Sequence, residues 1–166
     1  MDLALKQDLK YMFAMRLTLY TDYALRLLMY LAAMDPARRA TIAEVAETYG
    51  IAKNHLTKVA YELSTRGLVK TIRGKGGGLG LGRAPESISL GEVVRATEPD
   101  MALVPCMDPV CAYCVIVPAC ELRRALEQAR AAFLAVLDRY TLAELTSRRA
   151  DLRALLWPSA PVPGTG

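Results

Sequence analysis

The chain has 166 residues, of which 23% are charged, with a formal net charge of +4, four cysteines and a single histidine. That length suits one domain, or a small domain with an appended helix, and the charge content marks a globular rather than a disordered chain. No run of about 18 apolar residues occurs, so no membrane-spanning helix is expected. Residues 1–14 also lack the apolar core and cleavage site of a secretory signal, so the expected compartment is the cytoplasm.

Residues 1–14 read as an N-terminal extension. Met12 and Met15 are alternative starts, and strong patterning begins only after Met15. Thr18 or Thr21 caps a first helix whose apolar stripe is Tyr20, Ala24, Leu27, Leu28 and Leu31; Asp35-Pro36 stops it. Thr41 opens a second helix, with Glu44 three residues on as a capping box and Ile42, Val45 and Ala46 on its inner side. Gly50 breaks that helix. A third runs from about Ala52 to Thr65, burying Leu56, Val59, Ala60 and Leu63, with Gly67 just past its end. A small Ala46 at the crossing, Gly50 in the turn and an apolar pair on the returning helix give helix-turn-helix spacing; the alternative is an ordinary helical hairpin.

A strand over 68–73, a glycine turn over 74–78 and a return over 79–81 form a hairpin, which directly after a helix-turn-helix is a wing. Another short helix follows over 88–96, with Ser89 as its cap. From Glu121 onward, Leu122, Leu126, Ala129, Phe133, Val136 and Tyr140 recur at spacings of 4, 3, 4, 3 and 4, the seam of a coiled coil or dimer helix. Packing back onto its own domain is the other reading of that stripe. Thr141 with Glu144 starts a last short helix, and the Pro-rich tail after Trp157 is expected to be mobile.

The basic charge is concentrated. Residues 41–83 carry seven Lys/Arg (Lys53, Lys58, Arg66, Lys70, Arg73, Lys75, Arg83) against Glu44, Glu47 and Glu62, which equals the whole net excess. That is the footprint of a phosphate-binding surface. On the third helix the buried stripe leaves Asn54, Lys58 and Tyr61 outward and His55 and Thr57 at the flanks, with Lys53 at its start. In a major groove, Asn pairs with adenine and Lys with guanine or phosphate; Arg73 and Lys75 at the wing face phosphate or the minor groove. A merely solvated polar face is the competing reading. Gly74, Gly76 and Gly80 do not make a dinucleotide fingerprint, because no helix follows to meet a pyrophosphate. His55, the only histidine, belongs to the reading helix as a DNA-facing or partly buried residue, not a metal ligand. With no second histidine beside a reactive centre, zinc hydrolase and Ser-His-Asp chemistry lack their parts, and an enzyme is not expected.

Cys106, Cys111, Cys114 and Cys120, spaced x4, x2 and x5, fall in a proline-punctuated loop that can bend several thiolates round one centre. Thiolates suit an iron–sulfur cluster or zinc. Only Cys111 and Cys114 form the close pair typical of structural zinc, which weakens zinc. A disulfide framework or a thioredoxin-like pair lacks its context. The same thiolates can hold a 4Fe-4S or a 2Fe-2S cluster.

Several segments together carry a resemblance. They are Met15-Arg16-Leu17-Thr18-Leu19-Tyr20-Thr21-Asp22-Tyr23-Ala24-Leu25-Arg26, the Gly76-Gly77-Gly78 wing, the Cys114 to Cys120 interval ending in Pro118-Ala119-Cys120, and residues 133–145. The chain resembles the winged-helix iron–sulfur repressors over about residues 15–148, and these segments are similar to the NsrR family of nitric-oxide-sensing repressors. The resemblance implies a homodimer that holds a double-stranded, inverted-repeat operator while its 4Fe-4S cluster is intact and lets go when nitric oxide attacks the iron. Three cysteines ligate such a cluster, and in some members an aspartate of the other subunit completes it. Asp22 stands at that position; without that role it is an acid favoured by the helix dipole. Carried over, the ligands are Cys106, Cys114 and Cys120. Cys111 is then a spare thiol or a fourth ligand, and in the latter case Asp22 is not needed.

The chain departs from the family in its fourth cysteine and in Gly80, where the wing usually bears a larger side chain. No histidine follows Cys120, unlike IscR-type relatives, whereas an iron-responsive RirA-type regulator stays open. A zinc-stabilised or redox interaction protein is the rival from another class. The expected architecture is mainly α with a small β-hairpin: a winged helix-turn-helix domain over 15–100, a cysteine loop over 101–120, a dimerisation helix and short C-terminal helix over 121–157, and a tail over 158–166.

Overall fold

A computed structural model describes residues 16–72, 74, 76–108 and 114–158 of the chain. Among these, seven α-helices surround one apolar core, with a two-stranded antiparallel sheet at one side. The architecture is the winged helix-turn-helix expected from the sequence. The N-terminal extension, the glycine-turn residues 73 and 75, loop residues 109–113 and the tail from 159 onward lie outside the described residues.

Helix α1 (Leu19–Ala33) is the central element, and it buries Ala24, Leu27, Leu28, Tyr30 and Leu31. Each such leucine contributes roughly 2 kcal/mol by leaving water. Of the two threonines offered by the sequence, Thr18 is the cap: its hydroxyl accepts from the Thr21 amide at 3.2 Å. Thr21 is buried instead and bonds Thr97 at 2.9 Å. Helix α2 (Ile42–Tyr49) and helix α3 (Lys53–Thr65) form the helix-turn-helix, with Gly50 at φ 64° closing α2. That left-handed turn is open to glycine at little cost. Thr41 caps α2 through the Glu44 amide, but the expected reciprocal half of the box is not made. The Glu44 carboxylate accepts from the Tyr30 hydroxyl and from Arg38, two donors contributed by the fold.

Helix α3 ends at Arg66-Gly67 and leads into the wing. Strand β1 (Val69–Ile72) pairs with β2 (Gly78–Leu81) in the register Val69↔Leu81 to Ile72↔Gly78. Ala40 adds a one-residue bridge to Leu79 through two backbone bonds of 3.1 and 2.7 Å, tying the wing to the turn before α2. Helix α4 (Leu90–Thr97) begins two residues later than the periodicity suggests. Ser89 caps it, while Ile88 is a buried core residue just outside.

Helix α5 (Glu121–Asp138) is the long amphipathic helix; none of its residues is buried. Helix α6 (Leu142–Leu145) starts at Thr141 with a complete capping box to Glu144. Helix α7 (Arg149–Leu156), which sequence periodicity did not separate from α6, returns to α1. There Arg149 and Arg153 donate to the carbonyl of Ala33, Arg153 at 2.7 Å, and Arg149 also reaches Met34. Two cations thus satisfy the orphan carbonyls at the negative end of α1.

Candidate nucleic-acid interface and cysteine loop

Helix α3 presents a continuous polar face. Leu56, Val59, Ala60 and Leu63 are inside, while Lys53, Asn54, His55, Thr57, Lys58 and Tyr61 are all exposed, Tyr61 by 72%. The periodicity therefore sorted this helix correctly. Thr57 is partly committed, since its hydroxyl donates to the Lys53 carbonyl at 2.8 Å. His55 is exposed rather than partly buried and stacks on Tyr23, ring centroids 6.0 Å apart. Tyr20 donates to the Lys58 carbonyl at 3.3 Å. Partial burial, reinforced by Glu62 and opposed by Arg66, raises the Tyr20 pKa above its ordinary 10.0, so the phenol stays a donor.

Tyr20 and Tyr23 thus hold α3 from the side of α1. Sequence reading placed Tyr20 in the core stripe and gave Tyr23 no role. The available signal was two aromatics with polar tips three residues apart near the helix start. The wing contributes Lys70, exposed on β1, whereas Arg73 and Lys75 lie outside the described residues. Gly80 faces Arg39: a Cβ there would stand 3.6 Å from the guanidinium. Arg39 in turn donates to the carbonyls of Pro36 and Arg38 at 2.9 and 2.8 Å. A cation missed in the sequence lies beside the wing where the larger side chain was expected.

The cysteine loop joins α4 to α5. Cys106 is half-buried in a 3₁₀ turn, Pro105–Met107, anchored by buried Met107. Cys114 is exposed, and Cys120 is the half-buried cap of α5, its sulfur accepting from the Arg123 amide at 3.4 Å. Cys111 lies outside the described residues. Among the described residues no three His, Cys, Asp or Glu side chains gather into a metal-holding group. Asp22 pairs within its own helix with Arg26 at 2.8 Å, and Arg26 also lies 5.7 Å from the Tyr49 ring centre. As a donor set, three free, solvent-reachable thiols on one loop fit an iron–sulfur centre, for which soft ligands are required.

The seam of α5 faces outward rather than onto its own domain. Leu122 is 66% exposed and Phe133 44%, with Val136 and Tyr140 similar. No helix among the described residues is long and apolar enough to cross a membrane.

Comparison with known proteins gives a consistent answer. Residues 17–148 match the Rrf2 family profile, described as "Iron-dependent Transcriptional regulator". The chain is 52% identical over 142 residues to the HTH-type transcriptional regulator NsrR of Bacillus subtilis (strain 168), covering 86% of this chain and 97% of that protein. It is 47% identical to the regulator of the same name in Shouchella clausii, covering 86% and 95%. Among solved structures, CymR (YrzC), the global cysteine regulator of B. subtilis, superposes with a TM-score of 0.67 at 27% identity, covering 81% of this chain and 98% of CymR. IscR of T. potens shares the fold, with a TM-score of 0.66 at 22% identity and 89% and 94% coverage. The role these relatives carry in their names is regulatory, not enzymatic. The chain belongs to the Rrf2 family of transcriptional regulators, and it is a winged-helix DNA-binding protein.

Proposed function

We propose that this chain is a homodimeric repressor whose Cys106, Cys114 and Cys120 hold a 4Fe-4S cluster and which releases an inverted-repeat operator in response to nitric oxide. The observation that carries the proposal is Cys120. One residue is at once a loop thiol and the N-cap of α5, so the arrangement of the thiols and the direction of the long helix are mechanically joined. The identity of 52% with a regulator named NsrR supports the same reading.

In this proposal α3 enters the major groove. Asn54 and Lys58 address base edges, Lys53, His55, Thr57 and Tyr61 flank them, and Arg73 and Lys75 of the wing meet phosphate. The exposed seam of α5 pairs with that of a second copy and fixes the spacing of two α3 helices, which must match two half-sites. When bound, the cluster supplies iron that reacts with nitric oxide. The chain's own part is geometric. Cys106 and Cys114 hold the loop to one side, Cys120 carries its position into α5, and Tyr20 and Tyr23 transmit the position of α1 to α3. Arg26 keeps Asp22 oriented at the start of α1; for Asp22 to serve the partner's thiols, that ion pair must open. The functional division is a DNA-binding head over 15–100, the ligand loop over 101–120 and the dimer segment over 121–157. Leu142 and Trp157 of that last segment also pack against the head. With double-stranded DNA as its partner, the proposed repressor would work in the cytoplasm.

Native mass spectrometry of anaerobically purified protein tests the assignment. A dimer carrying one 4Fe-4S cluster per protomer is expected, lost in Cys120→Ala and retained in Cys111→Ala. Retention in Cys120→Ala, or a zinc-loaded wild type, refutes it. Nitric oxide titrated against the loaded dimer on a selected operator duplex is expected to weaken binding; a cluster that reacts while affinity holds rules out the sensing step. The family description as iron-dependent favours one second reading, an iron- or cluster-status regulator. Release on iron chelation, with indifference to nitric oxide, would select it.

A further inference from the structure

Four charged side chains of alternating sign run in a row from the long helix to the base of the wing. Asp138, the last residue of α5, receives two hydrogen bonds from Arg95 of α4, one at 3.2 Å and one shorter. Arg95 stands one turn beyond Glu92 on the same helix. The hydrogen bond with Asp138 raises the Arg95 pKa most, partial desolvation opposes it, and the charges of Asp138 and Glu92 add to the rise. Glu92 in turn accepts from Arg83 at 2.6 Å.

Both ends of this row are anchored in backbone. Beside Arg83, the Gly82 amide donates to the Leu68 carbonyl at 2.9 Å, and a Cβ on Gly82 would stand 2.2 Å from the Gly67 oxygen. Arg83 therefore follows a backbone position packed tightly against the link between α3 and β1. At the other end, a Cβ on Gly91 would stand 2.0 Å from the Asp138 carboxylate, so α4 and α5 meet in direct contact. The Leu90 amide donates to the Tyr140 carbonyl, and the Leu142 amide to the Ile88 carbonyl, each at 2.8 Å. Between the ends, an open surface depression of about 250 Å³ is lined by Arg66, Leu68, Glu92, Arg95 and Ala96, so Arg95 and Glu92 border the same solvent-filled space. The structure shows one arrangement, with Arg95 on Asp138 and Arg83 on Glu92; the relay proposed below requires a second, with Arg95 on Glu92 in competition with Arg83. The four side chains are between 39% and 46% exposed, so each link changes an equilibrium by a factor of a few rather than by orders of magnitude.

We propose that Asp138, Arg95, Glu92 and Arg83 form an ionic relay that carries the attitude of α5 to the wing, which makes Arg95 and Glu92 positioning residues for operator binding. The relay deepens the proposed function and rests on its assignment of α5 as the dimer helix. It is tested without metal or DNA, by backbone hydrogen exchange on the full cluster-free chain. Asp138→Asn and Glu92→Gln are each expected to speed exchange of the Leu79 and Gly82 amides about threefold. The double variant Arg95→Asp with Asp138→Arg, which restores the α4–α5 pair with reversed sign but sets Asp against Glu92, is expected to leave the wing fast while residues 88–98 and 136–142 return to wild-type rates. A purely local role confines every change to those two segments; wing rates that stay at the wild-type value in both single variants overturn the relay. A failed exchange result leaves the cluster assignment standing, and a chain without iron leaves the relay standing.

Discussion

The Tyr30 phenol lies inside the core, and its oxygen serves two partners. It donates to Glu44 at 2.8 Å and accepts from the Trp157 indole at 2.8 Å, joining α1 to α2 and to the end of α7. Tyr30→Phe leaves the indole N–H unpaired and is expected to cost about 1–2 kcal/mol. The urea midpoint, followed by the fluorescence of the single tryptophan, should fall while the slope of the transition is unchanged. Gly78 is the second sensitive residue. It sits at φ 152°, and a Cβ there would stand 2.7 Å from the Ala40 carbonyl. Gly78→Ala combines backbone strain with a lost bridge to the wing and is expected to destabilise by about 1–3 kcal/mol. Thermal unfolding measures that loss, and weakened operator binding with an unaltered helical spectrum would locate it in the wing. The role of the glycine run as a tight turn was legible in the sequence. The use of Gly78 against Ala40 was not, because the neighbour is 38 residues away in the chain.

At the scale of elements, capping chemistry divides into cases the sequence settles and cases the fold reassigns. Thr141 and Glu144 form their box locally, so pattern and outcome agree. Hydrogen bonds from the Thr141 amide and hydroxyl hold the Glu144 carboxyl below its ordinary value of 4.5. Its contribution is therefore present above pH 4.5 and is lost as pH falls through the lower folded value. Amide exchange at residues 142–145 is expected to show an acid-side step there, absent in Glu144→Gln. At Thr41 the same pattern gives half a box, since Tyr30 and Arg38 claim Glu44. Helix α7 escaped the sequence for a related reason: what positions it is Arg149 and Arg153 on the carbonyls of Ala33 and Met34, more than a hundred residues upstream.

For the whole molecule, the open seam of α5 matters most. Phe133→Glu places a charge in the middle of it, and sedimentation is expected to show a monomer for this variant and, under the proposed function, a dimer for the wild type. Thermal stability of the head should change little, because Phe133 is 44% exposed in the single chain. A variant that stays dimeric would move the dimer interface elsewhere.

Periodicity fixed the helices other than α7, the buried stripe and outward face of α3, and the winged helix-turn-helix order, because each is local: one strip of side chains must leave water at a spacing set by the backbone itself. The clustered thiols were equally legible, since four cysteines in one short loop need no fold to be noticed. Only the tertiary structure decided that Glu44 serves Tyr30, that Arg149 and Arg153 close α1, that Tyr20 and Tyr23 hold α3, and that Asp138 meets Arg95 while Glu92 meets Arg83. In each of these the partner lies on another element, and a chain pattern cannot show which carbonyl or carboxylate folding will bring within hydrogen-bond reach.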